Sequence, residues 1–134
     1  MSKEKLVIMN KEFVPYDIAL AMRELGFDEP CLGIYYNRED GVKYLEPTWE
    51  FIIGKGLNNE NEVNAPLYQQ AFRWFRSKYG LYTGISPYNV SLDLYEIIIK
   101  DKEDNDYEVR DTYGDENSQI VALNELIEIV KENL

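Results

Sequence analysis

The chain has 134 residues, of which 45% are hydrophobic and 13% aromatic. This composition suffices for a packed core and predicts a single domain over residues 1–134, because domains most often run about 100–150 residues. The formal net charge of −11 argues against direct binding to nucleic acid or anionic lipid, since both need positive potential.

The chain has no histidine and one cysteine. The usual general base and the commonest zinc ligand are therefore absent. Cys31 follows Pro30 in a strand-like pattern, and we expect a small buried hydrophobe there because nothing marks a basic site that would activate a thiolate. We accordingly expect no enzyme, no cofactor and no metal site.

The same features predict a cytoplasmic location. One cysteine cannot form a disulfide within a chain and suits a reducing compartment. The start, "MSKEKLVIMN", has too short an apolar run for a signal peptide, and no stretch approaches the ~20 apolar residues of a membrane span.

The stretch "FVPYDIALAMRELGF" predicts the first helix. Pro15 suits the first helical position, and Gly26 can take the left-handed conformation that ends a helix. Phe27 then occupies the position where a Schellman motif places a hydrophobe, against Met22. Helical periodicity puts four residues on the apolar side: Ile18, Ala21, Met22 and Leu25.

Strands are predicted next. In "CLGIYYN" alternate residues are apolar, which indicates a strand, and Asp40-Gly41 is a turn signal after which residues 42–45 return as a hairpin. "TWEFIIG" is a further short strand candidate. Residues 54–64 lack periodicity and are predicted to be irregular; Gly54-Lys55-Gly56 has neither the spacing nor the hydroxyl of a phosphate loop.

Residues 64–82, "NAPLYQQAFRWFRSKYGLY", predict a central helix that Pro66 opens and Gly80 ends. Helical periodicity predicts a wide buried stripe of Leu67, Tyr68, Ala71, Phe72, Trp74, Phe75 and Tyr79. The other side carries Gln69, Gln70, Arg73, Arg76 and Ser77. We single out Gln69, Arg73 and Arg76 as a face able to hold an anion; salt bridges to the chain's own carboxylates are the alternative.

Two strands, "LYTGIS" and "SLDLYEIIIKD", are predicted around a turn at Pro87-Tyr88-Asn89, and "YEVRDTY" is a third strand beyond the acidic turn "DKEDND". The last helix, "SQIVALNELIEIVKENL", has Asn117 or Ser118 as its cap. Its predicted apolar face is Ile120, Leu123, Leu126, Ile127, Val130 and Leu134. Asp115 and Glu116 near its start and Lys131 near its end complement the helix dipole.

This order predicts an α+β fold: an antiparallel sheet with about three helices on one face. The helix exits "RELGF" and "SKYGL" are alike, as a helix-plus-hairpin unit used twice would produce, although the match is too short to define a repeat. An EF-hand loop needs a glycine at its sixth position, and no loop that starts at Asp101, Asp104 or Asp106 in the acidic turn has one there. We expect a solvated turn there, with weak cation affinity or imitation of nucleic acid as lesser alternatives.

Eleven tyrosines are many for this length. Tyrosine is favoured at interfaces because it combines apolar area with a polar tip. Three groups lie in or beside strands: Tyr35 and Tyr36, Tyr79 and Tyr82, and Tyr107 and Tyr113. They either pack across strands or form an exposed sheet face that binds a partner, and Tyr35 and Tyr36 are the candidates we name for binding.

The segments "KEFVPYDIALAMRELGFDEPCLGIYYN" and "APLYQQAFRWFRSKYGL", with the later "DTY" and amphipathic helix, resemble a family of small proteins common in gut Bacteroidetes genomes, their prophages and crAss-like phages. The family has no established activity. The resemblance implies a phage or mobile-element accessory protein in a bacterial cytoplasm and assigns no functional residues.

Two functional hypotheses follow. The first is a non-enzymatic interaction protein that docks on a host or phage protein, as an inhibitor for example. The second is a protein that binds or sequesters a small ligand such as a nucleotide, with the polar face of the central helix. An enzyme that depends on carboxylates ranks third, and self-association is compatible with each, because a small sheet often leaves an edge to pair.

Overall fold

The structure is a computed structural model that describes residues 11–37, 43–52 and 62–133. The fold is α+β, which confirms the class and the element order that the sequence predicts. The described elements are α1 (Tyr16–Glu24), β1 (Cys31–Asn37), β2 (Lys43–Ile52), β3 (Glu62–Ala65), α2 (Tyr68–Tyr79), β4 (Tyr82–Asn89), a 3₁₀ turn (Val90–Leu92), β5 (Leu94–Lys100), β6 (Asp106–Tyr113) and α3 (Asp115–Asn133).

The chain divides into two compact units, Met1–Tyr68 and Gln69–Leu134. The predicted single sheet is therefore wrong in one respect: the described strands form two three-stranded antiparallel sheets, in the orders β2-β1-β3 and β4-β5-β6. In the first sheet β1 pairs with both β2 and β3, and in the second β5 pairs with both β4 and β6, so each unit contains a sheet of its own. A single domain over 1–134 stays a prediction.

In the first unit, the two predicted strand segments after the turn are one strand, β2. Its register against β1 shifts between the pairs Cys31↔Ile52 and Gly33↔Pro47. The two predicted pieces are separated at Glu46-Pro47, where the proline interrupts the strand pattern of the sequence. The predicted turn at Asp40-Gly41 lies outside the described residues.

The prediction of irregular structure over 54–64 is wrong at its end. β3 begins at Glu62 and pairs antiparallel with β1, from Tyr36↔Glu62 to Gly33↔Ala65. Val63 and Asn64 are buried. Four residues are too few to show strand periodicity against an Asn-rich background, so tertiary pairing defines this strand. Residues 53–61, with Gly54-Lys55-Gly56, lie outside the described part.

The two ends of α1 follow the sequence signals closely. Pro15 is the N-cap, one residue before the predicted position, and its carbonyl accepts from Ala19 N at 3.0 Å. Gly26 has φ 101°, and the bonds from Phe27 N to Met22 O (2.9 Å) and from Gly26 N to Arg23 O (3.0 Å) form the predicted Schellman motif. Ala19 is buried on this helix, in addition to Ile18 and Met22; the predicted Ala21 and Leu25 are half-buried.

The central helix α2 begins at Tyr68, two residues beyond Pro66. Gly80, with φ 67°, ends it through a bond from its N–H to Arg76 O at 3.1 Å. Four residues of the predicted stripe are buried: Tyr68, Ala71, Trp74 and Phe75. Leu67, Phe72 and Tyr79 are half-buried, and Gln70 is buried although helical periodicity puts it on the polar side.

In the second unit, the predicted turn at Pro87–Asn89 is wrong, because β4 continues through these residues. The chain turns instead at the 3₁₀ segment Val90–Leu92 and at Asp93, which has φ 54°. A register shift between Pro87 and Asn89 accommodates the proline within an edge strand. β5 starts at Leu94, not Ser91.

α3 packs against β5 and β6 of the same unit. It starts at Asp115, so neither Asn117 nor Ser118 is its cap; Ser118 is buried inside the helix. Its first turn carries Asp115 and Glu116 and its last turn Lys131, as predicted. The buried residues are Ser118, Ala122, Leu123, Leu126, Ile127, Ile129 and Val130; Ile120 is half-buried and Leu134 lies outside the described part.

Among the described residues, no helix is both long enough and apolar enough to cross a membrane.

Candidate functional site

Tyr35 and Tyr36, the binding candidates on β1, are both half-buried. The Tyr35 hydroxyl donates to Val14 O at 2.6 Å, and its ring meets Tyr16 edge-on at 5.6 Å. Burial raises the pKa of the Tyr35 phenol to about 12. This tyrosine therefore belongs to the packing of the first unit, and these contacts are with residues at or just before the start of α1, not across strands.

The polar face of α2 is where the sequence places it. Gln69, Arg73 and Arg76 are exposed, and α2 carries three basic residues with no acidic residue in its sequence. Within the described part of the chain, neither Arg73 nor Arg76 forms an ion pair or a hydrogen bond through its side chain. Lys78, the third base, lies 5.1 Å from the centre of the Trp74 ring.

Among the described residues, the most exposed large apolar side chains lie elsewhere, at the far end of the second sheet. Val90 is 82% exposed, Leu92 59% and Tyr88 50%. They lie at alternate positions in residues 86–93, a run of eight in which every residue is exposed. We call this segment the hairpin tip. Tyr113, 64% exposed, lies beside it because β6 pairs Tyr113 with Leu94.

Hydrogen bonds fix the backbone of the hairpin tip. The Asn89 side chain accepts from Leu92 N at 3.3 Å, and Asp93 N donates to Val90 O at 3.2 Å. Gly114 N then donates to Asp93 O at 3.0 Å and joins the tip to the start of α3. An apolar segment with a fixed backbone loses little conformational entropy when a partner covers it.

Buried hydroxyl groups hold the junction behind the tip. Thr112 Oγ1 donates to Tyr95 O at 3.0 Å, and Ser118 Oγ donates to Gly114 O at 2.7 Å. The two hydroxyl oxygens are 2.9 Å apart. These contacts connect β5, β6 and α3. They lie next to Tyr113 and to Gly114, whose N–H donates to the Asp93 carbonyl.

Three described acidic residues lie at the end of the hairpin tip or close to Tyr113 along the chain. Asp93 ends the tip, and Asp115 and Glu116 follow Tyr113 and Gly114 directly in the chain; all three carboxylates are exposed. We call them the acidic rim. The basic residue Lys100 pairs with Tyr82 at the opposite end of β4. Tyr82 and Asn89 are seven residue steps apart in the strand, which is about 23 Å at ~3.3 Å per residue.

The acidic turn between β5 and β6 is a self-contained structure. The Asp101 carboxylate accepts from Glu103 N (2.9 Å), Asn105 N (3.0 Å) and Asn105 Nδ2 (3.0 Å). These bonds, that from the Asn105 side chain above all, lower the pKa of Asp101. The geometry matches the predicted solvated turn, since the carboxylate oxygens accept bonds from the turn itself.

A cleft of about 430 Å³ lies beside this turn. Its lining residues are Tyr79, Asp101, Lys102, Glu103, Asn105, Tyr107 and Asn133. Positive and negative side chains are mixed there, and the Lys102 stem lies against Gly80. The cleft therefore favours no one class of ligand.

Cys31 is fully buried, with Sγ 3.4 Å from Glu29 O, which agrees with the interpretation as a core residue. Within the ranges that the structure describes, no group of three or more cysteine, aspartate and glutamate side chains is placed to hold a metal ion.

A local signal for the hairpin tip is present in the sequence. In "SPYNVSLD" apolar residues alternate with polar ones. The sequence-based prediction nevertheless assigns residues 87–89 of this segment to a turn and its last part to the next strand. The exposure of the segment depends on how far β4 extends beyond the buried part of the sheet, which local pattern does not specify.

Comparisons of the chain with models of known protein families, with curated proteins and with solved structures found no significant match.

Proposed function

We propose that this protein is a non-enzymatic interaction protein and that the hairpin tip is its contact surface. One observation carries the proposal: three large apolar side chains, Tyr88, Val90 and Leu92, are at least half exposed on a segment whose backbone is fixed by hydrogen bonds. Hydrophobic side chains in contact with water cost free energy, and a protein surface that covers them regains it.

The shape of the segment supports a protein partner. Every residue of the tip is exposed, so the tip suits contact with a partner surface better than the enclosure of a small substrate. Tyr88 and Tyr113 supply aromatic anchors of the kind that carry much of the binding energy at protein interfaces. The resemblance to phage and mobile-element proteins favours a bacterial or phage protein as the partner, and an inhibitor as the role.

The proposal is tested by comparing the wild-type chain with the double variant Val90→Asp/Leu92→Asp in affinity capture from a bacterial lysate. We expect a stoichiometric partner with the wild type and at least tenfold less with the variant, since two charges would have to be desolvated in the contact. Tyr82→Asp is the control, because Tyr82 is also exposed but lies at the start of β4, the end of the strand away from the tip.

Both variants should keep the wild-type circular dichroism spectrum and unfolding midpoint, because the substituted side chains are exposed. Equal capture by wild type and double variant would contradict the proposal. So would equal loss with Tyr82→Asp, since the contact would then not be at the tip.

A second candidate function is the binding of a small anion such as a nucleotide by α2. The observation that favours it is the pair of exposed guanidinium groups, Arg73 and Arg76, which have no ion-pair partner among the described residues. Guanidinium groups bind phosphate through paired hydrogen bonds. A thermal-shift screen with nucleotides tests it: stabilisation that Arg73→Gln/Arg76→Gln abolishes would support this function, and no shift with any nucleotide would remove it.

A further inference from the structure

The hairpin tip combines apolar side chains with an acidic border, and this combination selects among possible partners. The acidic rim, Asp93, Asp115 and Glu116, is exposed. Among the described residues none of the three carboxylates has an ion-pair partner. A partner that covers the tip would therefore meet exposed carboxylates next to the apolar side chains.

We propose that the partner is a basic protein, which receives Val90, Leu92 and their tyrosine neighbours in an apolar pocket bordered by lysine or arginine side chains. This inference rests on the proposed function and specifies the chemistry of its partner. Opposite charges placed around an apolar contact steer association and disfavour wrong partners, because like charges at such a distance repel.

Other occupants of the tip are disfavoured by the same charges. A second copy of the chain meeting the tip in a symmetric contact would place acidic rim against acidic rim, and each chain carries a net charge of −11. An anionic membrane surface would be repelled likewise. A basic protein with an apolar pocket can cover the apolar side chains and pair its positive charges with the carboxylates.

Neutralising the acidic rim tests the inference without removing the apolar contact. The triple variant Asp93→Asn/Asp115→Asn/Glu116→Gln keeps side-chain size, and asparagine tolerates the left-handed backbone at position 93. The matched control, Glu103→Gln/Asp104→Asn/Glu128→Gln, removes the same number of negative charges from exposed positions away from the tip.

The probe is a bacterial lysate separated at pH 7 on a cation-exchange resin into bound, basic proteins and unbound ones. A photo-crosslinking amino acid at position 90 reports contact with the tip. We expect a crosslinked adduct from the bound fraction, with a yield that falls several-fold when salt rises from about 50 to 300 mM, since screening lengths shorten over this range. The rim variant should show a similar loss and the control variant should not.

Five results would overturn the inference. Four are an adduct only from unbound proteins, an adduct of two copies of this chain, co-sedimentation with anionic vesicles in place of protein crosslinking, and a yield that neither salt nor the rim variant changes; the fifth is the absence of any adduct. An adduct from unbound proteins that Leu92→Asp abolishes leaves the proposed function in place and removes only the basic partner. No adduct from any fraction removes both.

Discussion

Phe75 shows how far the sequence predicts individual core residues. Helical periodicity assigns Phe72 and Phe75 alike to the buried stripe of α2. Phe75 is fully buried, with its ring centre 5.0 Å from that of Trp74, whereas Phe72 is half-buried. Helical spacing predicts which side of a helix is apolar, but the width of the contact on that side depends on what packs there.

Replacing Phe75 should therefore cost more stability than replacing Phe72. We expect Phe75→Ala to lower the free energy of unfolding by ~3–5 kcal/mol, the usual cost of removing a buried ring, and Phe72→Ala by clearly less. Urea unfolding measures both. Arg76→Ala on the exposed face is the control and should change stability by no more than about 0.5 kcal/mol; equal losses at positions 72 and 75 would contradict the packing.

Tyr35 predicts a dependence of stability on pH. Burial raises the pKa of its phenol from 10.0 to about 12, so the folded state favours the neutral form. The stability that this preference contributes is fully present below pH 10 and is lost as the pH rises towards 12, because the unfolded chain ionises first.

Unfolding by urea at pH 8 and at several values up to pH 11.5 would detect the effect. Tyr35→Phe should be less stable than wild type at pH 8 by about 1 kcal/mol, since the bond to Val14 O is lost. Its stability should also decline less steeply above pH 10. A decline as steep as that of the wild type would assign the effect to other groups.

Ser118 reveals a limit of sequence reasoning. The local pattern assigns it to the helix start, where serine is favoured, but it lies inside α3, fully buried, and donates to Gly114 O. Serine can bond a carbonyl four residues back as well as cap a helix. Local sequence does not distinguish these uses, since burial against β6 decides between them.

Ser118→Ala should lower the free energy of unfolding by ~1–3 kcal/mol, because buried polar groups lose their partner. The control, Ser77→Ala, changes an exposed serine in α2 and should be neutral or slightly stabilising, since alanine is the better helix former. Urea unfolding of the two variants measures the difference. A neutral Ser118→Ala would show that the hydroxyl network contributes nothing to stability.

Among the elements, the C-terminal ends of α1 and α2 are what the sequence predicts best. Gly26 and Gly80 both adopt positive φ and end their helices, as the two similar exits indicate. These signals are local, because glycine is favoured wherever a helix ends in the left-handed conformation, which a Cβ atom makes unfavourable. The sequence does not predict β3 or the position of the turn after β4, because strand pairing and register depend on residues distant in the sequence.

Gly26 and Gly84 provide a matched test of what glycine does at a helix end. Gly26→Ala should destabilise the chain by about 1 kcal/mol, since φ is 101° there. Gly84 lies in an exposed strand, and no atom is within 4 Å of the position its Cβ would take. Gly84→Ala should be neutral or slightly stabilising. Equal effects of the two substitutions on the urea midpoint would contradict the role of Gly26.

Charge is the dominant feature of the molecule taken as a whole. The chain has 25 acidic and 14 basic residues, so even complete one-to-one pairing would leave 11 acidic groups unpaired. Their mutual repulsion destabilises the compact state, and salt screens it. The midpoint of urea unfolding at pH 7 should therefore rise between about 10 and 150 mM NaCl. A fall would show that attractive ion pairs outweigh the net repulsion.

The distribution of tyrosines over the molecule shows where the candidate site differs from the sequence-based expectation. Composition predicts tyrosines at a binding surface, but the two named candidates, Tyr35 and Tyr36, are half-buried. Tyr88 and Tyr113, which are more exposed, lie at and beside the hairpin tip. Sequence alone identifies the residue type but not the surface, because the exposure of a strand residue depends on which face packs against a helix.

Interaction through the hairpin tip can be measured by site-specific photo-crosslinking of the otherwise unchanged chain in a bacterial lysate, with the reactive side chain at position 90 or at position 82. Both positions are exposed on the β4–β5 hairpin, but only position 90 lies in the hairpin tip. A contact at the tip predicts a discrete protein adduct from position 90 and none from position 82. No adduct at position 90, or equal adducts from both positions, would contradict it.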